Sequence, residues 1–506
     1  MVSFTRRTVL LLGLALPSLF AVAEGPKQNA PTLTVKLGKI PNLRLAPRPA
    51  LSATEAERIK ALIAGLAALD KPDFGLSATL SGSDFAPLPG QRRAGAMLLT
   101  DHKLRPAEGL KALVTLGPDA LPFLLAALDD KTPTKITIEH GGGFGIMYHA
   151  SELHLNPVNP SEVALYKARV GKARDEHDHV ASYRVKVGDV CFVAIGQIVG
   201  RKYQAVRYQP TACIVLNSPV HDPKLCAEVR AVWKSKDMRA KLFDSLLADY
   251  ATEGIFNGEN LNGWYAGSDS QCAAALRLLF YFEKESAGLV AGRLDELDVG
   301  KGRGVDGWMH RCVANGVRPD EFLKAVSWSK APAVRASLLK MFERAEDPRE
   351  LLAVLPTVED EALIRKRLEK LVRALPADEG GPYGDGYELL LALARRTPKT
   401  ARPVFERYLC KASAQRCHTV CLVLRKMKSD WGATLLGPLL TDERTWGWDY
   451  AVKPGKDEPR RPIRVCDEAA VTLSQNHPEL KFTRAGEHAA LDEQIEAIRK
   501  QLAKKK

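Results

Sequence analysis

Apolar residues recur at helical spacing through most of this chain, and the plainest instance is the stretch 110–130, LKALVTLGPDALPFLLAALDD. Leu110, Leu113, Val114 and Leu116 fall on one side of the helical period, which predicts a helix. Gly117-Pro118 ends it, because a proline drives the residue before it out of the helical region. Asp119 or the neighbouring turn can cap a second helix, whose stripe is Leu121, Leu124, Leu125 and Leu128. Pro122 is tolerated there because the first turn loses no donor. Two short amphipathic helices cannot bury their faces alone, so the pattern predicts stacked copies of a helical hairpin.

The same reading extends along the chain. Ser52 and Glu55 form a capping-box pattern ahead of Ile59, Leu62, Ile63 and Leu66. The stretches 272–282, 332–356 and 361–376 are amphipathic, and 378–387 is a Gly-rich break. VKVGDVCFVAIGQIVG near 185–200 reads as an apolar helix, and aligning Asp189 with Asp467 pairs Val185-Lys186-Val187 with Ile463-Arg464-Val465. Both places share one plan: a helix pair, an insertion, then a helix opened by [VI]-[KR]-V-x-Asp. The insertions are 131–183, rich in Gly and His with short β-like runs, and an aromatic one near 443–461.

With Gly117, Ala120, Pro122 and Asp129 in place, the organising stretch resembles HEAT repeats. It is most similar to the short HEAT-like repeats of phycobilisome lyases and many bacterial proteins. The family's Arg-containing turn and Ala-rich helix do not follow Asp129 here, which makes the next segment an insertion. The resemblance implies an all-α fold, an α-solenoid of HEAT-like hairpins with a small irregular, β-containing insertion. Its expected parts are a signal peptide (1–23), a Pro-rich leader (24–50) that is flexible or extended, and N-terminal helical repeats (51–130). The insertion (131–183), HEAT-like repeats (184–476) and a charged C-terminal helix (477–506) follow.

The first residues add a location. A basic start at Arg6-Arg7, an apolar run from Val9 to Val22 and small residues at Ala21 and Ala23 predict a cleavable signal peptide. Export to the periplasm or outside the cell follows, by the general secretory or the twin-arginine route. No later run is long enough for a transmembrane helix. The formal net charge of +13 includes Arg6 and Arg7, with local clusters at Arg365–Arg373 and Arg460–Arg464. Such runs are ordinarily solvated faces; as a functional feature they would attract an anionic polymer. Export argues against nucleic acid.

Candidate chemistry is sparse. Five of the eleven histidines, His140, His149, His154, His177 and His179, lie in the first insertion. His177 and His179 beside Asp175 could offer donors to zinc, although the spacing matches no established ligand pattern. The glycine run 141–145 lacks both the P-loop and the dinucleotide spacing and reads as a turn. Aromatic side chains on loops are the better binding candidates: Tyr148, Trp264, Tyr265, Trp446, Trp448 and Tyr450. They could equally pin the insertions onto the array. Nine cysteines leave at least one unpaired if the rest form bridges within the chain. Most sit among apolar residues, and Cys410 and Cys417 could bridge only across a turn at 411–415. The expectation is therefore a non-enzymatic binding or scaffold protein without a cofactor, recognising a protein or envelope polymer. The alternative is a metal-dependent enzyme or metal-binding protein with its site in 131–183.

Overall fold

The computed structural model describes residues 33–70, 85–88, 107–139, 146–148, 162, 164, 179–201, 203–208, 214–257, 270–297, 319–376, 384–427, 429, 431–448 and 461–504. Predicted features at 1–32, including the signal peptide, lie outside them. The described chain is predominantly helical, and none of its helices is long and apolar enough to cross a membrane.

Local sequence accounts for the helix ends. Ser52 caps Ala53–Gly65, with the Glu55 amide donating to Ser52 Oγ (3.2 Å) and the Ser52 amide to Glu55 Oε2 (2.9 Å). The helix Glu108–Leu116 stops at Gly117, which takes a left-handed φ of 57°. A Cβ there would also run into the Tyr281 ring, whose hydroxyl donates to the Val114 carbonyl (2.5 Å). Asp119 does not cap the next helix. It sits in the tight turn Gly117–Asp119 and pairs with Arg48, while Leu121–Ala126 begins without a side-chain cap.

Packing follows a regular rule. The helix Val187–Val199 touches Met238–Tyr250, which touches Ser270–Tyr281, and then Pro319–Val326, Pro348–Val354, Asp385–Arg396, Ala414–Lys426 and Val465–Asn476 follow, each in contact with the next. Between them lie partners such as Pro332–Arg344, which packs on Glu283–Glu296, and Glu361–Ala374, which packs on Asp385–Arg396. One apolar cluster runs from Ile59 through Leu246, Phe342 and Leu424 to Ile498. Each helix buries its stripe against neighbours on both sides, as short amphipathic helices require.

Arginines stitch these helices together. The last carbonyls of a helix lack internal partners and carry the negative end of its dipole. Arg230 Nε donates to Leu125 O (2.8 Å), Arg277 Nε to Gln197 O (2.7 Å) and Arg344 Nη2 to Leu294 O (3.1 Å). Arg367 Nε reaches Phe342 O (3.2 Å), Arg396 Nη1 Leu355 O (2.9 Å) and Arg416 Nη2 Leu375 O (2.9 Å). Part of the basic charge thus serves the fold. Within the 365–373 cluster Arg367 is such a cap, while Lys370 pairs with Glu346 (3.2 Å) and Arg373 with Glu369 (2.5 Å).

Strand structure reaches beyond the predicted insertion. Pro133–Glu139, inside it, pairs antiparallel with Ser182–Lys186, which runs past its end at residue 183. A four-stranded sheet in the order His179–Val180, Ile146–Tyr148, Ile214–Leu216, Val206–Tyr208 also recruits residues assigned above to helical repeats. VRY and IVL are too short for periodicity to separate strand from helix, and their partners are remote in sequence. The leader is extended as expected, but it is fastened from residue 33 onward. Leu33–Leu37 pairs with Thr252–Asn257, Arg239 Nη1 holds Ala46 O (2.8 Å), and the Ala46 amide donates to Glu285 Oε1 (3.2 Å). At the other end only His488–Lys504 of the predicted C-terminal helix is helical, and 477–487 is not.

The repeated plan is a structural duplication. After Leu121–Ala126, Thr132 O and Asp130 O accept from the Val187 (2.9 Å) and Gly188 (3.0 Å) amides. After the turn Gly437–Thr441, Arg444 O and Asp442 O accept in the same order from Val465 (2.9 Å) and Cys466 (2.9 Å). A strand pair enters each helix: Pro133–Glu139 with Ser182–Lys186, and Thr445–Trp448 with Pro462–Arg464. In both copies the aspartate three residues past the cap accepts the cap amide, Lys186 N to Asp189 Oδ2 (2.9 Å) and Arg464 N to Asp467 Oδ2 (3.1 Å). Gly188 is required in the first copy, where a Cβ would meet the Leu128 carbonyl oxygen and the Val220 methyl.

Candidate functional site

Two buried polar clusters in the first half have every mark of structure. Asp189 is fully buried, yet Tyr183 Oη (2.6 Å), Ser218 Oγ (2.5 Å) and the Lys186 amide all donate to it. Burial pushes its carboxyl upward while these donors oppose the shift. Arg201 lies between Glu162 (2.9 Å) and Asp249 (2.5 Å), all three at most 3% exposed. Burial alone would lower its guanidinium, but the two carboxylates hold it charged, and burial lifts Asp249 to about 6.

The cluster at the other end reaches the surface. It starts on the helix Ala414–Lys426, capped by Ser413, whose Oγ accepts from the Arg416 amide (3.3 Å). His418 and Arg425 are seven residues apart, so they lie on one face of that helix. Glu468 and Thr472 share a face of Val465–Asn476, which packs against it. Glu468 is 1% exposed; Arg425 Nη2 holds its Oε2 (2.5 Å) and Arg484 holds its Oε1. Arg425 Nη2 also donates to Thr472 Oγ1 (3.2 Å). The Trp446 ring, from the strand Thr445–Trp448, lies flat on His418 at 3.4 Å and 13°.

The electrostatics are those of a neutral ring in a cationic corner. Burial, then the charges of Arg425 and Arg484, pull His418 down to about 3. Its Nδ1 is 3.8 Å from Glu468 Oε2, beyond hydrogen-bond reach. His418 Nδ1, Trp446 Nε1 and Arg425 Nε are buried here without a hydrogen-bond partner. Beside this corner Trp448 is 53% exposed, and Arg464 grips Asp467 (2.9 Å) and Asp492 (2.6 Å).

Of the predicted binding residues, Trp446 and Trp448 share this strand but have opposite fates, one stacked inward and one in solvent. Tyr148 ends the strand Ile146–Tyr148, in a different sheet. Trp264, Tyr265 and Tyr450 lie outside the described residues. So do Asp175 and His177 of the predicted metal trio, while His179 stands opposite Met147 in the sheet register. Among the described residues no group of three or more His, Cys, Asp or Glu could hold a metal ion.

Cys410 and Cys417 are free thiols, although Lys411, with a φ of 56°, makes the expected turn between their helices. Burial pushes Cys421 and Cys466 up to about 12, so they act as small apolar side chains. Sequence inspection missed His418, Arg425, Glu468 and Arg484. The available signal was polar residues on otherwise apolar helix faces, His418 and Arg425 in CHTVCLVLR and Glu468 in VCDEAAVTL. No family model matches this chain, and neither curated proteins nor solved structures give a match.

Proposed function

We propose that the chain is an exported, non-enzymatic binding protein, an α-solenoid of HEAT-like hairpins that recognises a protein or an envelope polymer. The observation that carries this is the second strand pair, which anchors one tryptophan on His418 and leaves Trp448 in solvent. An exposed, rigidly mounted indole is the kind of side chain that dominates binding interfaces. The next-but-one helix contacts and the long apolar cluster from Ile59 to Ile498 support the solenoid reading, since stacked hairpins bury their stripes in this way.

The test is co-sedimentation of the mature protein with purified envelope polymer and with isolated envelope fractions. Trp448→Ala should lower affinity at least about tenfold, the loss of an interface anchor, while leaving the melting curve unchanged. Equal retention of the variant would refute the assignment of this face. The export part has its own check. Mass spectrometry of the protein recovered after export should give Glu24 as the first residue, and an intact N-terminus would overturn it.

A further inference from the structure

We propose that residues 484–492 form a clasp on the strand pair Thr445–Trp448 and Pro462–Arg464, and that this clasp sets the affinity of the Trp448 face for its partner. The inference rests on the binding reading above and deepens it by naming what controls that face, with His488 as its positioning residue.

The pair is thinnest where it carries Trp448. Its register sets Trp448 opposite Pro462, Gly447 opposite Ile463 and Thr445 opposite Arg464. Proline has no N–H, so Pro462 offers Trp448 no donor across the ladder. Two strands this short are marginal without support from outside. On the first strand that support is the Trp446 ring on His418, two residues before Trp448. On the second it is the C-terminal segment. His488 Nε2 lies 3.0 Å from Pro462 O, and a carbonyl only accepts, so the imidazole keeps its proton on that nitrogen and donates. Arg461, one residue earlier, donates through Nη2 to Arg484 O (2.9 Å) and through Nη1 to Gly486 O. Arg464, at the other end of the strand, reaches Asp492 Oδ1 (2.6 Å). The clasp is itself rooted, because Leu491, Ile495 and Ile498 of the helix His488–Lys504 are buried. The first copy is built differently. Arg184 matches Pro462 when the helix openings are aligned, and its Nε donates across the pair to Thr134 O (2.8 Å). That strand pair carries its own cross-strand tie, whereas the second takes its support from the start of the last helix. An indole that is already held pays less ordering cost on binding, so the clasp acts on affinity.

The test reads the strand pair and the face separately, on the purified full chain. Hydrogen exchange of the Thr445–Trp448 amides reads the pair with no partner present. So does the fluorine NMR signal of 5-fluorotryptophan at position 448, assigned with Trp448→Ala. Co-sedimentation with isolated envelope fractions reads the face. His488→Phe keeps a ring but removes the donor, and His488→Gln restores a side-chain N–H. His488→Phe should speed exchange by about fivefold to tenfold, the worth of one hydrogen bond, and move the fluorine signal. It should weaken binding by about fivefold with the melting curve retained. His488→Gln should return all three readings towards the wild type, which a general loss of packing would not allow. Asp492→Ala leaves Arg464 on Asp467 (2.9 Å) and should act in the same direction, adding to His488→Phe. Exchange unchanged in both single variants overturns the clasp. A loosened strand pair that binds as tightly as the wild type, while Trp448→Ala loses binding, overturns its hold on affinity. If Trp448→Ala binds as the wild type does, the envelope-binding reading has failed and takes the affinity effect with it. The exchange and fluorine readings need no partner and still decide whether the clasp exists, so the two failures are told apart.

Discussion

Arg201→Leu is expected to destabilise the first half of the chain by about 3–5 kcal/mol, the usual cost of removing one partner from a buried ionic cluster. Arg201 is 1% exposed and follows the left-handed Gly200 that ends Val187–Val199. Its guanidinium binds Glu162 (2.9 Å), Asp249 (2.5 Å), Ser245 Oγ (3.0 Å) and Val199 O (3.1 Å), and sits 5.8 Å from the Trp233 ring centre. Leucine fills part of the volume but leaves two buried carboxylates without their cation. Asp249, raised to about 6 by burial even beside Arg201, would rise further and protonate near neutrality. Hydrogen exchange of the Val187–Val199 amides is the direct measurement, because it reads local stability without assuming that a chain of this length unfolds in one step. Exchange should accelerate by two or more orders of magnitude, following the energy above. A change below about tenfold would mean that the cluster contributes little, because that factor corresponds to only about 1.4 kcal/mol. Adding Glu162→Gln and Asp249→Asn should recover part of the loss, since neutral amides no longer demand a cation.

What was legible in the sequence were features settled within a few residues. The Ser52–Glu55 cap, the Gly117-Pro118 corner and the [VI]-[KR]-V-x-Asp helix openings each depend on neighbours along the chain, and each is present. The duplication was visible for the same reason: Asp189 and Asp467 bond to a cap amide three residues back. Features that join distant segments left no such trace. Leu33 meets Asn257, and Arg230 caps a helix more than a hundred residues earlier. The strands Val206–Tyr208 and Ile214–Leu216 sit in a sheet with Ile146–Tyr148. Nothing local distinguishes these segments from loop or helix. The candidate site failed to show for that reason too. Trp446 was singled out as an aromatic on a loop, but His418 and Glu468 belong to apolar helices and gain meaning only when those helices pack.

The duplication also bears on why one copy carries a site and the other a lock. In the first copy the aspartate at the helix opening is sealed by Tyr183 and Ser218, and Gly188 lets the chain approach the Leu128 carbonyl closely. In the second copy Arg464 stands before the helix, Cys466 replaces the glycine, and Glu468 follows Asp467 with two arginines on it. The position matching Glu468 in the first copy is Val190, fully buried and apolar. One backbone plan therefore supports an apolar interior at one end and a cationic, partly exposed corner at the other.

That corner gives the last prediction, a pH dependence. His418 has an ordinary pKa near 6.5, which the folded protein lowers to about 3 through burial and the nearby Arg425 and Arg484 charges. Between those values the unfolded chain binds a proton that the folded chain refuses, so stability rises with pH. The contribution is fully present above about pH 6.5 and declines by about 1.4 kcal/mol per unit as the pH falls, until the folded-state pKa is reached. Several kilocalories are at stake, enough to loosen the contact between Ala414–Lys426 and the Thr445–Trp448 strand. His418→Phe keeps a ring for Trp446 and removes the titration, so the difference in stability between the two proteins should shrink steadily below pH 6.5 in urea unfolding. NMR of selectively labelled histidine provides the independent reading: the His418 ring signals of the folded protein should hold their neutral positions at pH 5. A midpoint near 6.5 would show that Glu468, 3.8 Å away, offsets burial and the arginines, and the corner would then carry a charged imidazolium at mildly acidic pH.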